Sequence, residues 1–235
     1  MKLAIMQPYF FPYIGYFQLI QSTDHFIFFD IPQYERHGWM NRNRIINVKD
    51  GSSYIIVPTV KVPQQTPLTE IRIDETQDWR KRIVNQLDIY KKRAPYYNDV
   101  MTLVQSVIEQ PADSLVELNV LSIKKTCEYI EMPFKYEIFS HMELDIPSEC
   151  EPDEWALMIT KALGFNTYIN APGGMSFFDR NKYLSAGISL KFIQPNLTPY
   201  VQKIGRFESG LSIIDVMMFN SKNRLREMLY EYELA

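Results

Sequence analysis

The chain has 235 residues, enough for one large domain with a substantial core. A hydrophobic share of 46% and a charged share of 23% are ordinary for a globular protein, and a net charge of −3 gives no basic footprint for nucleic acid. Two cysteines, Cys127 and Cys150, are too few for a disulfide framework or a four-thiolate zinc site.

The opening, MKLAIMQPYFFPYIGYFQLI, is interrupted by Gln7, Pro8, Pro12 and Gly15. It lacks the continuous apolar stretch and cleavage site of a secretory signal, and no run reaches the ~18–20 apolar residues of a membrane span. A cytoplasmic protein is expected. Residues 2–6 (KLAIM) predict a buried strand, Ile14 to Ser22 a short helix, and residues 25–30 (HFIFFD) a second strand. Strand, loop, helix and strand in this order point to a parallel sheet. Gln7, Tyr9 and Tyr16 then stand at or after the C-terminal end of the first strand, where such sheets bind ligands. A rigid structural loop is the competing reading. The geometry resembles the nucleotide-binding loop of nucleotidyltransferases and class I synthetases. The histidines of their HxGH pattern are missing, however, because the matching stretch is Pro12-Tyr13-Ile14-Gly15-Tyr16.

Residues 33–45 (QYERHGWMNRNRI) gather His37, Trp39, Asn41, Arg42, Asn43 and Arg44. If the segment is extended, the two asparagines share one face and the two arginines the other. Arginine suits bidentate recognition of phosphate or carboxylate, asparagine supplies orienting hydrogen bonds, and His37 is a candidate general base. A solvated hairpin edge is the alternative. Residues 53–62 predict another strand, and 70–74 (EIRID) alternate like an edge strand.

From 76 to 131 the period becomes helical. Trp79, Ile83, Leu87 and Tyr90 make one apolar stripe, and residues 98–110 and 114–131 continue the pattern, with Cys127 on the apolar side. We read one α/β domain over 1–235, a largely parallel sheet with flanking helices, carrying a helical lobe at about 76–131. Its basic residues read as a solvated face. Strands are predicted at 135–140, 167–170 and 189–194, and helices at 152–163, 179–186, 212–220 and 222–232.

The stretch GFNTYINAPGGMSFFD (164–179) runs a strand into a Gly-Gly loop, which is either a ligand loop or a plain turn. Asn170, Gly173 and Gly174 are taken as ligand-facing. Ser212 looks like a helix N-cap, while Asp215 lies within an apolar helix and needs a partner, for which an arginine is expected. The chain has no G-x-G-x-x-G, Walker loop, G-x-S-x-G or H-E-x-x-H, and His25, His37 and His141 are too scattered to propose a metal site. Gln7, Asn41, Arg42 and Asn170 are expected to meet in one pocket at the sheet edge.

The ensemble MQPYFFPYIGYFQLI, WMNRNRI, APYY, TYINAPGG and LSIIDVMMFN, in order over nearly the whole length, resembles the WbqC-like family. The resemblance implies a place among proteins of O-antigen and other surface-polysaccharide gene clusters, some of them suspected of transferring glycine or a similar acyl group to an amino sugar. It assigns no catalytic residues. The leading expectation is a cytoplasmic transferase acting on a nucleotide-linked amino sugar. His37 would act on the amine, and Arg42 and Arg44 would hold the anionic portion, with Trp39 among the substrate-binding residues. Two alternatives stand beside it: a non-catalytic binding or assembly protein of a glycan-synthesis complex, and an enzyme activating a carboxylate with ATP. No cofactor is required by the sequence, ATP stays open, and neither nucleic acid nor a membrane span is among the expected partners.

Overall fold

The computed structural model describes residues 1–47, 49, 51–147, 149–203 and 206–235. The apolar runs at both ends of the sequence come together as a single sheet. Its strands are β1 (Lys2–Met6), β2 (His25–Phe28), β5 (Tyr136–Ile138), β6 (Thr167–Asn170), β7 (Ser189–Pro195) and β8 (Tyr232–Leu234), in the spatial order β5-β2-β1-β6-β7-β8. The first five are parallel to their neighbours and β8 is antiparallel to β7. A separate antiparallel pair, β3 (Arg42–Asn47) and β4 (Gly51–Ile56), stands outside this sheet.

The period-two pattern of a strand buried on both faces sorts the core into two layers. Ala4, Phe26, Phe28, Ile169 and Ile193 face one layer. There they meet α1 (Ile14–Gln21), α2 (Trp79–Leu87), α3 (Tyr97–Ile108), α4 (Leu115–Ile130), α7 (Ile213–Phe219) and α8 (Lys222–Met228). Leu3, Ile5, Ile27, Tyr168, Leu190 and Phe192 face the other, against α5 (Trp155–Ala162) and α6 (Arg180–Ser185). Chain that runs outward from β1 through β2 to β5 thus covers one face, and chain that runs outward from β6 to β7 covers the other. This is a doubly wound α/β sheet. The stripe Trp79, Ile83, Leu87 and Tyr90 is fully buried and belongs to the same core cluster as Phe26 and Phe28.

Three expectations change. Residues 70–74 form only single bridges, Arg72 with Ser114 and Ile73 with Thr59, because their backbone groups are divided between two segments. Ile73 N donates to Asp113 O, Asp74 N to Pro58 O, and Arg72 O accepts from Val60 N. The strand expected over 53–62 stops at Ile56, where the Asn41 carbonyl accepts from Val57 N and the Asn41 amide donates back to Val57 O (2.9 Å). The last helix ends at Met228 rather than 232, and Tyr232–Leu234 pairs with β7 instead.

Candidate ligand-binding site

Going outward from β1 the chain runs one way, and from β6 the other. The crevice beyond the carboxyl ends of these two strands is where open α/β sheets receive ligands, since the departing loops separate there. Gln7 directly follows β1 and Asn170 ends β6, and the two strands are paired through Lys2–Thr167 and Leu3–Tyr168. A cavity of about 690 Å³ opens at this point. One wall carries Phe29 and Trp155, the other Tyr168, Phe177 and Phe178, and Gln7, Asn170, Gly173, Gly174 and Glu35 add the polar positions. Phe29, Phe139 and Trp155 pack as a three-ring cluster with centroids 5.1–5.9 Å apart, so that wall is rigid.

Asn170 is the central residue. It is 8% exposed, it lines this cavity and a second one of about 360 Å³, and its side chain hydrogen-bonds to no described residue. Its amide atoms are open to the cavity, so water solvates them in the free chain and a ligand there would replace that water. Gly174 makes room for it: a Cβ there would lie 2.3 Å from Asn170 Nδ2 and 2.9 Å from the Phe178 ring. Gly173, by contrast, has open space around it. The second cavity continues past Tyr9, Tyr13, Gly15 and Tyr16 to the N-terminus of α1. Tyr13 occupies the N-cap position there without a side-chain cap, and the first turn holds no acidic residue. The Tyr13 ring folds over Gly15, whose Cβ would sit 2.4 Å from it, so any larger residue there would push the ring aside.

The loop between β1 and α1 is pinned throughout. Phe11 has φ +40°, a conformation costing a non-glycine residue about 1–3 kcal/mol. Its N–H donates to Ser122 Oγ (3.2 Å) and its carbonyl accepts from Asn43 Nδ2 (2.9 Å) and Ser212 Oγ (2.8 Å). Pro8 O accepts from Asn119 Nδ2, Phe10 O from Asn43 Nδ2, and Pro12 O from Ile213 N. At about 1 kcal/mol net each, these bonds offset the strain. Ahead of the pinned stretch, Tyr16 Oη donates to Gln7 O (2.9 Å) and Tyr9 Oη to Gln7 Oε1 (3.3 Å). Burial, then the charge of Glu35 and then Tyr13, push the Tyr9 phenol up to about 12, so it remains a proton donor. Burial holds the Tyr16 phenol well above its usual range.

The polar run at 33–45 goes elsewhere. The four residues expected to converge do not: Gln7 and Asn170 share the crevice, whereas Asn41 and Arg42 line a separate groove of about 430 Å³ with Arg36 and His37. The physical reason is the hairpin. Once residues 42–47 become β3, pairing to β4 turns Asn43 into the core and carries Arg42 and Arg44 along the other face. Arg42 donates to the carbonyls of His37 and Gly38 and stacks on Tyr54, 4.4 Å from the ring centroid. Arg44 pairs with Glu208 (3.4 Å) and lies 5.9 Å from the Trp39 ring. Trp39 itself is exposed and lines a third cavity, shared with Tyr9 and Tyr13. Asp215 has no arginine partner. It is fully buried and accepts from Tyr90 (2.6 Å), Tyr200 (2.5 Å) and Gln202 (3.0 Å). Burial raises its carboxyl above the usual range against these three donors. Ser212 caps α7 as expected, accepting from Ile214 N.

Several site residues escaped the sequence reading. Glu35 and Trp155 were passed over because nothing local marks them. Phe177 and Phe178 stood in the glycine-rich stretch and could have been taken with it, since rings beside a Gly-Gly turn have no strand to pack within.

These features define an α/β protein with a ring-walled crevice at its sheet's switch point. The chain belongs to the WbqC-like protein family, whose model matches residues 7–227. It is similar to a Mycobacterium tuberculosis protein described as "Uncharacterized protein Rv1507c", with 28% identity over 222 residues, covering 93% of each chain. No solved structure matches it significantly. Among the described residues, no helix is long and apolar enough to cross a membrane.

Proposed function

We propose that this chain is a cytoplasmic transferase of surface-polysaccharide synthesis that binds a nucleotide-linked amino sugar in the crevice and transfers glycine or a similar acyl group to its amine. The observation that carries the reading is Asn170, a largely buried residue at the end of β6 whose amide opens into the crevice it shares with Gln7 and hydrogen-bonds to no described residue. Two amides flanked by rings suit the hydrogen-bonding edges and flat faces of a base or sugar. The adjoining cavity at the start of α1 offers helix N–H groups to an anionic portion, a role first expected of Arg42 and Arg44. Family membership supports the substrate class. His37 has no part in this version, because it lines the hairpin groove.

The test is incubation with nucleotide-linked amino sugars, glycine and ATP, or with preformed acyl donors, read by mass spectrometry. A mass gain on the sugar that Asn170→Ala slows at subsaturating sugar is expected. A negative result across the panel, with no thermal stabilisation by any nucleotide sugar, overturns the proposal. A binding or assembly role is the second reading, favoured by a crevice lined mainly by rings and amides. Stabilisation by ligand without turnover would select it.

A further inference from the structure

The ionic character of the crevice is one-sided. Its lining includes a carboxylate, Glu35, and no Lys, Arg or His among the described residues. The nearby cations are engaged elsewhere: Arg36 donates to Val62 O, Arg42 to the carbonyls of His37 and Gly38, Arg44 pairs with Glu208, Lys182 pairs with Asp153 and Glu154, and Arg180 stacks on Phe192, 5.2 Å from the ring centroid. No described residue forms an ion pair with Glu35, which stands exposed at the edge of this ring-walled cavity with its carboxylate beside Gly38. Ring faces carry negative electrostatic potential, which adds to that of a carboxylate. Both features favour a positively charged guest over a phosphate. The shift of Tyr9 agrees, since the charge of Glu35 is felt at that phenol, which donates to Gln7. Tyr9 itself lines the adjoining cavity, which shares Asn170 with this one.

We infer that the rim of the crevice is an ammonium subsite, in which Glu35 and the rings beside it take the protonated amine of the ligand while Gln7 and Asn170 bond its neutral polar groups. This rests on the proposed function for the identity of the ligand, an amino sugar, but not for the charge preference. It also supplies discrimination between substrate and product. Acylation needs the ammonium first to give one proton to Glu35 or water; the freed lone pair then forms the C–N bond as the bond to the donor's leaving group breaks, a second proton is lost, and that nitrogen becomes a neutral amide. The sugar nitrogen therefore loses its attraction to Glu35, and where glycine is the group transferred the product's new ammonium stands farther out, by the length of the glycyl group.

The experiment compares binding of glucosamine with N-acetylglucosamine, and of a uridine-diphosphate-linked amino sugar with its N-acetyl form, to the full chain and to Glu35→Gln. Ligand-observed NMR suits the free sugars and calorimetry the nucleotide-linked pair. The amine should be preferred by about tenfold, from a single exposed charge pair reinforced by rings. Glu35→Gln should erase the preference while leaving affinity for the N-acetyl form unchanged. Because Glu35 is exposed, the variant is expected to fold, which its melting temperature verifies. Nucleotide sugars that bind equally with and without the acetyl group would overturn the subsite and leave the proposed function standing. A Glu35-dependent preference for glucosamine, with no binding of either nucleotide-linked form, would support the subsite and overturn the proposed function. Failure of every amine to bind, or a preference that survives Glu35→Gln, overturns the subsite.

Discussion

The end of the main sheet and the β3–β4 hairpin are both dense in amides and unusual side chains, and both interrupt apolar sequence. They use those side chains in opposite ways. On the hairpin, Asn41 closes the strand pair, Asn43 holds the carbonyls of Phe10 and Phe11, and Arg42 holds those of His37 and Gly38. Each of these donors meets a backbone acceptor, although Arg44 Nε on the same hairpin is buried without a described partner. At the sheet end no described side chain or backbone group bonds the Asn170 amide, which opens into the crevice instead. Polar density in a sequence shows that partners are needed. Whether the partner is protein or ligand depends on topology, because a switch point opens a space that a paired hairpin fills.

The largest effect should come from Asn43→Ala. It strands the Phe10 carbonyl, removes one of the two donors to the Phe11 carbonyl and leaves Arg44 N without its acceptor, all in a buried region. We expect a loss of about 1–3 kcal/mol in urea unfolding of the unliganded chain, the cost of leaving buried groups unpaired. A variant as stable as wild type that had lost ligand binding would move Asn43 into the site and break the comparison.

Asp215 belongs to the same scaffold, since the Tyr90 hydroxyl that donates to it also accepts from Ile46 N in β3. Burial raises its carboxyl in the folded chain, so its protonated form is favoured there. Its contribution to stability is therefore full below the unfolded carboxylate range near pH 3.9 and is lost as pH rises through the higher folded value. Asp215→Asn lacks this titration. Its stability relative to wild type should rise with pH above about 4, by at most about 1.4 kcal/mol per unit, and then level off. Unfolding curves at several pH values check the slope; a relative stability that falls as pH rises would mean that the three donors outweigh burial.

At the sheet end the signature is reversed. Gly174→Ala drives a Cβ into Asn170 and Phe178, and Asn170→Ala removes the amide. Each should weaken binding of a nucleotide-linked sugar by about tenfold, the worth of one hydrogen bond and its geometry, with little change in unliganded stability for Asn170→Ala. The double variant should lose no more than the stronger single one, because both act on one group. Additive losses would separate the two positions. Arg42→Lys comes next: it keeps the charge but gives up the fork to two carbonyls and the stack on Tyr54. The melting temperature should fall by the equivalent of about 1 kcal/mol while ligand affinity holds.

Much of this was legible in the chain. The strands at 2–6, 25–28, 136–138, 167–170 and 189–195 announced themselves as apolar runs, and the position of Gln7 and Asn170 at strand ends followed from them. Tyr232–Leu234 did not, because three residues of alternation are indistinguishable from the end of a helix. The role of Asn43 was hidden for a different reason: the carbonyls it holds lie about 32 residues earlier, in a loop whose burial no local pattern reveals. Glu35 was hidden likewise, since its significance depends on rings supplied by residues 155 and 177.

The smallest effect should be that of His37→Ala, and it decides most sharply between the two regions. The residue is exposed, and what the fold uses is its backbone carbonyl, which accepts from Arg42 and survives the substitution. Its ring stands in the hairpin groove, away from Gln7 and Asn170. A general base must come within about 3 Å of the proton it takes, directly or through one water, and typically contributes a factor of 10²–10⁴. If the chemistry occurs at the sheet end, His37→Ala should leave the melting temperature, sugar affinity and transfer rate within about twofold of wild type, as surface changes away from special features do. A hundredfold loss of turnover with binding intact would place the reacting amine at the hairpin instead. The crevice would then hold the remote part of the substrate, and the roles assigned to the two regions would have to be exchanged.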